Sequence, residues 1–363
     1  MSPRRKLWLM ILICVVLIAL MLLVAEAAIR VRQTLKYGSA ATVEQYYTVD
    51  QRINLRVPIA NLSSGRISIN SLGFRGPEIA VPKPPGTVRL AFLGASTTWC
   101  GEVTGNDYVW PHLVTASLGQ TFPRARFDYV NGGVPGYTMD SVLKNMQHRV
   151  APLQPDVVVI YEVSNNLTGD LRELAARRGI ITEARVQELA WPSRYSLLWL
   201  LAEKNLRVLN AQRIAASDQG RLEVDPRTLG EAFRRDLTQV VRAAQQHAKL
   251  VAVATFSIHL RRDQSPEQQK HASSSSFFYM PFATTGLLLE GYERYNQVVR
   301  EVALETGAFL IEGENSIPGD PAHFTDSVHF TDAGSKAMAQ RISQALVANA
   351  GLRKIVADTT AIR

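Results

Sequence analysis

Val88-Arg89-Leu90-Ala91-Phe92-Leu93 is a short, mostly apolar run, and Gly94-Ala95-Ser96-Thr97-Thr98 follows it directly as a turn of small residues. The run has the length and composition of a strand covered on both faces, and the turn has the composition of a helix start. The same sequence of events recurs downstream. Buried-strand candidates are Phe127 to Asn131, Asp156 to Tyr161, Leu250 to Phe256 and Ala308 to Ile311. Helical patterns fall at about Tyr108 to Leu118, Met139 to Val150, Leu229 to Ala248, Gly291 to Glu305 and Asp332 to Ala348. Strands alternating with helices predict a doubly wound, parallel α/β sheet, whose ligands bind at the C-terminal ends of the strands.

Four short stretches lie at those ends or before the last helix. Ser96 opens a predicted helix after a strand, where the free backbone N–H groups and the positive dipole end favour an anion. Serine also caps helices with no chemical duty, so the stretch says little alone. Asn131-Gly132-Gly133-Val134-Pro135-Gly136 follows the second strand. Glycine there lets a backbone N–H approach a substrate oxygen closely, and an ordinary Gly/Pro turn has the same composition. Val163-Ser164-Asn165-Asn166 follows the third strand, where an Asn amide can act as a second donor or cap a helix. Asp326-Ser327-Val328-His329 precedes the final helical pattern and offers a base with a carboxylate to orient it. A second pair, Asp320 and His323, has the same spacing, and His323-Phe324-Thr325-Asp326 nearly repeats as His329-Phe330-Thr331-Asp332. His329 is preferred because the last helix follows it directly. His323 stays open as the alternative.

These four stretches, in this order, resemble the SGNH (GDSL-type) hydrolase family over roughly Arg89 to Ala348. Asn70-Ser71-Leu72-Gly73-Phe74-Arg75-Gly76 is similar to a segment preceding this domain in membrane-anchored bacterial members. The resemblance implies a flavodoxin-like three-layer α/β/α fold around a five-stranded parallel sheet. It implies Ser96 as nucleophile, His329 as base and Asp326 as the residue that orients and charge-stabilises His329. The Ser96 and Gly133 backbone N–H groups and the Asn165 amide would form the oxyanion hole. Two departures stand out. Ala95 replaces the family's Asp in the first motif, and Val163 and Asn166 replace the Gly and Asp of the third. The expected activity is a serine esterase or deacetylase acting on an acylated glycan or lipid, without a cofactor. Transfer of the acyl group to a sugar hydroxyl of an exopolysaccharide or cell-envelope glycan is an alternative. A non-catalytic glycan-binding or scaffold protein with a vestigial site is another.

Leu7 to Ala25 carries no charge and nearly matches the ~20 residues a bilayer requires. Arg4, Arg5 and Lys6 precede it, so the positive-inside rule keeps the N-terminus cytoplasmic and exports the rest, in a bacterium to the periplasm or outer face. Cleavage as a signal peptide at Ala25-Glu26-Ala27 is the competing reading. Residues 26–86 are expected as a juxtamembrane stalk and a small β-containing segment, 87–350 as the hydrolase domain and 351–363 as a tail. Within the domain, 167–224 reads as a helical insertion whose stretch Trp191 to Leu201 forms an extra layer, a lid or a membrane-facing surface. Arg261 to Leu289, with Ser273 to Ser276 and then Phe277 to Phe282, reads as a flap loop.

The formal net charge of +8 over 363 residues fits a basic solvated surface or attraction to anionic glycans and phospholipid headgroups. No basic stripe alternating with aromatics appears, which disfavours nucleic acid. Cys14 and Cys100 are too differently placed to pair, and no Cys/His spacing suggests a metal.

Overall fold

The computed structural model of the chain describes residues 2–37, 40, 43–184, 190–216 and 221–361. Helix α1 (Pro3–Tyr37) stands outside the body of the protein, with the side chains of its apolar stretch exposed, and is long and apolar enough to cross a bilayer. Two small antiparallel pairs follow: β1 (Tyr47–Asp50) with β2 (Leu55–Pro58), and β3 (Ser63–Ser64) with β4 (Ile67–Ser68). The main body then runs β5 (Thr87–Gly94), α2 (Ser96–Trp99), α3 (Trp110–Thr121), β6 (Arg126–Gly133), α4 (Met139–Asn145), β7 (Val157–Tyr161), α5 (Ser164–Arg177), α6 (Leu197–Ala216), α7 (Glu231–Gln245) and β8 (Leu250–Ala254). It closes with α8 (Pro266–Ala272), α9 (Ser274–Tyr279), α10 (Thr285–Thr306), β9 (Phe309–Ile311), α11 (Asp332–Ala348) and α12 (Ala350–Ala361).

The five later strands form one parallel sheet in the order β6-β5-β7-β8-β9. Each coincides with one of the five expected strands, and the layering is the three-layer α/β/α fold implied by the resemblance. The order reverses at β5: the chain leaves it for β6 on one side and returns for β7 on the other. That switch opens a crevice at the C-terminal ends of β5 and β7, where the loops part. The strand residues Leu90, Phe92, Val158 and Val159 are fully buried, as a sheet covered on both faces requires.

The opposite end of the sheet is locked by charge. Arg89, wholly buried on β5, donates through Nε (2.8 Å) and Nη2 (2.7 Å) to the two Asp128 oxygens on β6, and through Nη1 to the Leu153 carbonyl at 2.9 Å. Asp156 accepts from the Arg89 backbone N–H at 2.9 Å and from Lys83 and Lys249 at 2.7 and 3.0 Å. Paired this way, buried charges avoid the cost of an isolated ion and fix the register of the first three strands.

Three segments differ from the sequence reading. Residues 351–363, expected as a tail, lie mostly in α12, which buries Leu352, Ile355, Val356 and Thr359 along one helical face. The 261–289 flap is not a loop. Ser265 starts α8 with a reciprocal capping box to Gln268, α9 follows, and Met280 and Phe282 are buried in the core. The 167–224 insertion starts inside α5, which begins at Ser164, and its second helix, α6, packs on both α1 and α9. Cys14 and Cys100 are both free.

Candidate active site

Ser96 is the first residue of α2, a single helical turn wedged against the ends of β5, β6 and β7. The wedge fits only because glycines line it. A Cβ on Gly94 would lie 2.2 Å from the Tyr161 carbonyl and 2.3 Å from Thr98 Oγ1, and one on Gly133 would lie 2.5 Å from the Trp99 nitrogen. Side chains then hold α2 from three directions. Thr98 Oγ1 donates to the Tyr161 carbonyl (3.2 Å), and Asn131 Nδ2 donates to the Thr98 carbonyl (3.1 Å). Arg75, fully buried, donates through Nη1 to the carbonyls of Trp99 (2.9 Å) and Cys100 (2.5 Å) and through Nε to Asn106 Oδ1 (2.9 Å). The C-terminal carbonyls of a short helix are its negative end, so a guanidinium there satisfies both hydrogen bonding and dipole.

Across the crevice, the two near-repeated segments fold back on each other as a tight antiparallel hairpin. Phe324 bridges Phe330, the Thr325 N–H donates to the His329 carbonyl (2.8 Å), and the Thr331 N–H donates to the His323 carbonyl (3.0 Å). Thr331 caps α11 through the Gly334 N–H (3.2 Å), and Asp332 accepts from the Thr104 N–H (2.9 Å) and Oγ1 (2.6 Å) in the loop beyond α2. The hairpin is thereby tied to the serine-bearing turn.

His329 Nε2 lies 2.8 Å from Ser96 Oγ, and His329 Nδ1 lies 2.7 Å from Asp326 Oδ2. The other Asp326 oxygen accepts the Val328 and His329 backbone N–H groups, both at 2.9 Å. These contacts outweigh burial and hold the Asp326 carboxyl below the usual range. For His329, burial opposes the charged ring, but the carboxylates of Glu102 and Asp326, with Glu162 beyond, raise its pKa to about 9. A hydroxyl, an imidazole and a carboxylate in this order can relay one proton away from the hydroxyl while the carboxylate stabilises the imidazolium.

The remaining expected residues divide. Asn165 sits in the first turn of α5, where its Nδ2 donates to the Tyr137 carbonyl at 2.9 Å and its backbone N–H donates to Glu162 Oε1 at 2.6 Å. Glu162 is buried at the end of β7, and burial pushes its pKa up to about 8, against the Asn165 hydrogen bond and the His329 charge. Gly133 does not fit the expected role. Its N–H donates to the Asn131 side chain at 3.1 Å, and the residue is sealed against α2. The close approach anticipated for this glycine is to a neighbouring backbone and not to a ligand. Gly136, in the same turn, has φ +84° and lies beside Tyr137, whose carbonyl holds Asn165; its N–H makes no hydrogen bond among those of the described residues. His323 pairs with Asp320 at 2.8 Å and, among the described residues, with no serine.

Arg75, Glu102 and Glu162 were missed by sequence reasoning. Arg75 lies within the segment Asn70 to Gly76 that was singled out, and a cation between Phe74 and Gly76 is the one signal it offered. The described residues hold no group of His, Cys, Asp and Glu suited to a metal ion.

Residues 92–337, well over half of the chain, match the GDSL-like lipase/acylhydrolase family. Among solved structures, the chain is similar to Axe2, an acetylxylan esterase from Geobacillus stearothermophilus, at 16% identity and a TM-score of 0.43, covering 73% of this chain and 96% of that one. It is also similar to a lipase/acylhydrolase from Enterococcus faecalis, at 16% identity and a TM-score of 0.41, covering 71% and 94%. No curated protein matches the sequence.

Proposed function

The chain belongs to the GDSL-like lipase/acylhydrolase family and is an ester-cleaving serine hydrolase, and from that premise we propose that Ser96, His329 and Asp326 are its catalytic triad. The observation that carries this reading is the unbroken line of contacts, 2.8 Å from Ser96 Oγ to His329 Nε2 and 2.7 Å from Nδ1 to Asp326. His329 takes the Oγ proton as Ser96 attacks the ester carbonyl. It then gives that proton to the leaving alcohol oxygen as the C–O bond breaks, leaving an acyl ester on Ser96. Water, deprotonated by the same imidazole, attacks the acyl carbon and releases the acid and the free serine.

The oxyanion of each tetrahedral intermediate is held by the Ser96 N–H, at the start of α2, and by the Asn165 amide. With the Gly133 N–H engaged by Asn131, Gly136 is the glycine of that turn left to donate. The substrate is an acyl ester of an extracytoplasmic glycan or lipid. This is supported by helix α1, which we read as a membrane anchor with Arg4, Arg5 and Lys6 on the cytoplasmic side and the catalytic body exported.

The test is Ser96→Ala in the full chain, assayed on p-nitrophenyl acyl esters and acetylated sugars, with fluorophosphonate labelling alongside. Turnover and labelling should both vanish while the melting temperature holds. Wild-type activity in this variant would overturn the triad. Acylated sugar as the main product when a sugar acceptor is present would change the reaction from hydrolysis to transfer.

A further inference from the structure

Helix α6 leaves most of its apolar side chains uncovered. Leu197 at its start is buried, whereas Trp199, Ala202, Leu206 and Leu209, spaced 3, 4 and 3 residues apart, form a single stripe that faces outward. Trp199 is 53% exposed, Leu206 67% and Leu209 52%. Trp191 and Tyr195, in the turn that leads into the helix, are 70% and 69% exposed and stack edge-to-face at 6.1 Å. A soluble surface rarely leaves so continuous an apolar strip uncovered, so it calls for an occupant.

The contact between α6 and α1 identifies that occupant. Glu26 is the first charged residue after the apolar run Leu7 to Ala25. Its carboxylate accepts the Leu197 and Leu198 backbone N–H groups (3.1 and 2.8 Å) and Ser196 Oγ (2.9 Å), capping α6 from another helix. One turn further, Arg30 pairs with Glu26 at 2.7 Å and donates to the Tyr195 carbonyl at 2.6 Å. The start of α6 is thus pinned to the residue at which the apolar span ends. At 1.5 Å per residue, that span is about 28 Å long, close to the hydrocarbon thickness.

We propose that α6 is an interfacial helix, with Trp191, Tyr195 and the Trp199–Leu206–Leu209 stripe seated in the headgroup region of the bilayer that α1 enters. The inference rests on α1 spanning a membrane. Trp and Tyr are the residues that favour this boundary, and Arg194, exposed in the turn between Trp191 and Tyr195, suits anionic headgroups. The seating has a consequence for the site. α6 packs on α9, and Ser275 in α9 exchanges hydrogen bonds with Ser327, the neighbour of Asp326, donating to its Oγ (2.7 Å) and accepting its N–H (3.0 Å). A continuous run of contacts therefore connects the bilayer surface to the wall beside the triad and fixes the height of Ser96 above the membrane.

The experiment uses the full chain carrying Cys14→Ser, since Cys100 is buried and burial pushes its thiol pKa up to about 12, with one cysteine introduced by Leu206→Cys or, as control, by Gln239→Cys on the exposed face of α7. Each is labelled with an environment-sensitive nitrobenzoxadiazole probe and reconstituted in phosphatidylcholine/phosphatidylglycerol vesicles containing a lipid spin-labelled near its headgroup. The Leu206→Cys probe should emit further to the blue and be quenched severalfold more than the control. Equal, unquenched emission at both sites while alkali fails to extract the protein would overturn the interfacial helix and leave the anchor standing. A blue-shifted but unquenched probe would overturn it in favour of a protein contact, such as a second copy. Extraction by alkali would overturn the anchor and the inference together.

Discussion

Asp320-x-x-His323 and Asp326-x-x-His329 are the same local structure built twice. In each, one Asp oxygen accepts the backbone N–H groups two and three residues on, at 2.9 and 3.0 Å in the first and 2.9 Å for both in the second. In each, the carboxylate meets the histidine Nδ1, at 2.8 Å and 2.7 Å. Spacing alone dictates this much, because an Asp side chain bonding its own backbone ahead closes a turn that brings residue i+3 back over the carboxylate. What separates the two is the far side of the ring. His329 Nε2 faces Ser96 at the end of β5, while His323 is used through its backbone: its carbonyl accepts the Thr331 N–H and lies where a Cβ on Gly334 would sit, 2.0 Å away. One copy is aimed at the sheet's switch point and the other seats the helix that aims it. Chemistry here is decided by tertiary placement, not by the local motif.

The sharpest way to break the comparison is to remove each ring. His329→Ala should lower kcat/KM on p-nitrophenyl acetate by about 10⁴-fold or more, the scale on which a triad base contributes. His323→Ala should stay within about threefold, because its backbone contacts survive the truncation. Comparable losses in the two variants, each with an unchanged melting temperature, would make the assignment of the base wrong.

The five strands and α11 were legible because continuous apolar runs and helical periodicity report burial directly. The placement of His329, and not His323, against Ser96 agrees with a sequence in which α11 begins three residues after His329. Other features were not. A glycine at the end of a strand signals close backbone approach but not to what, so Gly133 pointed to an absent substrate when its neighbour is Trp99. Arg75 could not be read as the support of α2, because a buried arginine and an exposed one look alike until the fold brings the Trp99 and Cys100 carbonyls to it. Helix α12 and the capping box at Ser265 were written plainly in spacing, and there the reading stopped at composition.

A smaller effect sharpens the contrast electrostatically. The raised pKa of His329, about 9, means that the ring is mostly protonated at pH 7 and must lose that proton to act as base. The kcat/KM of the wild type should therefore climb with pH from 7 to 9. Glu102, with one oxygen buried and no hydrogen-bond partner, is the foremost of the groups holding the proton on. Glu102→Gln should move the limb to lower pH by about one unit and raise activity at pH 7 by up to about tenfold. An unmoved limb would take Glu102 out of the account. The linkage to stability has the opposite sense: a folded pKa above the unfolded value near 6.5 stabilises fully below pH 6.5, and that contribution is lost as pH rises through 9.

The smallest effect belongs to the copy without a serine. Asp320→Asn keeps an acceptor for the Ala322 and His323 N–H groups and removes only the charge beside His323. The Asp320 carboxyl, held below its usual pKa first by the His323 hydrogen bond, contributes stability that is present above the unfolded value near 3.8 and lost as pH falls through the folded one. Its side chain is 45% exposed, so solvent screens the pair and the contribution should be well under ~1 kcal/mol. Thermal melts of the variant should show a drop of at most about 2 °C at pH 6, a difference that shrinks as pH falls below the unfolded value near 3.8, and unchanged kcat/KM. The matched Asp326→Asn change also keeps its acceptor and its turn, yet it leaves His329 without the charge that stabilises its imidazolium, and should cost orders of magnitude in rate with as little effect on melting. Loss of activity in Asp320→Asn comparable to that in Asp326→Asn would mean that the first turn acts in the chemistry and does more than seat α11.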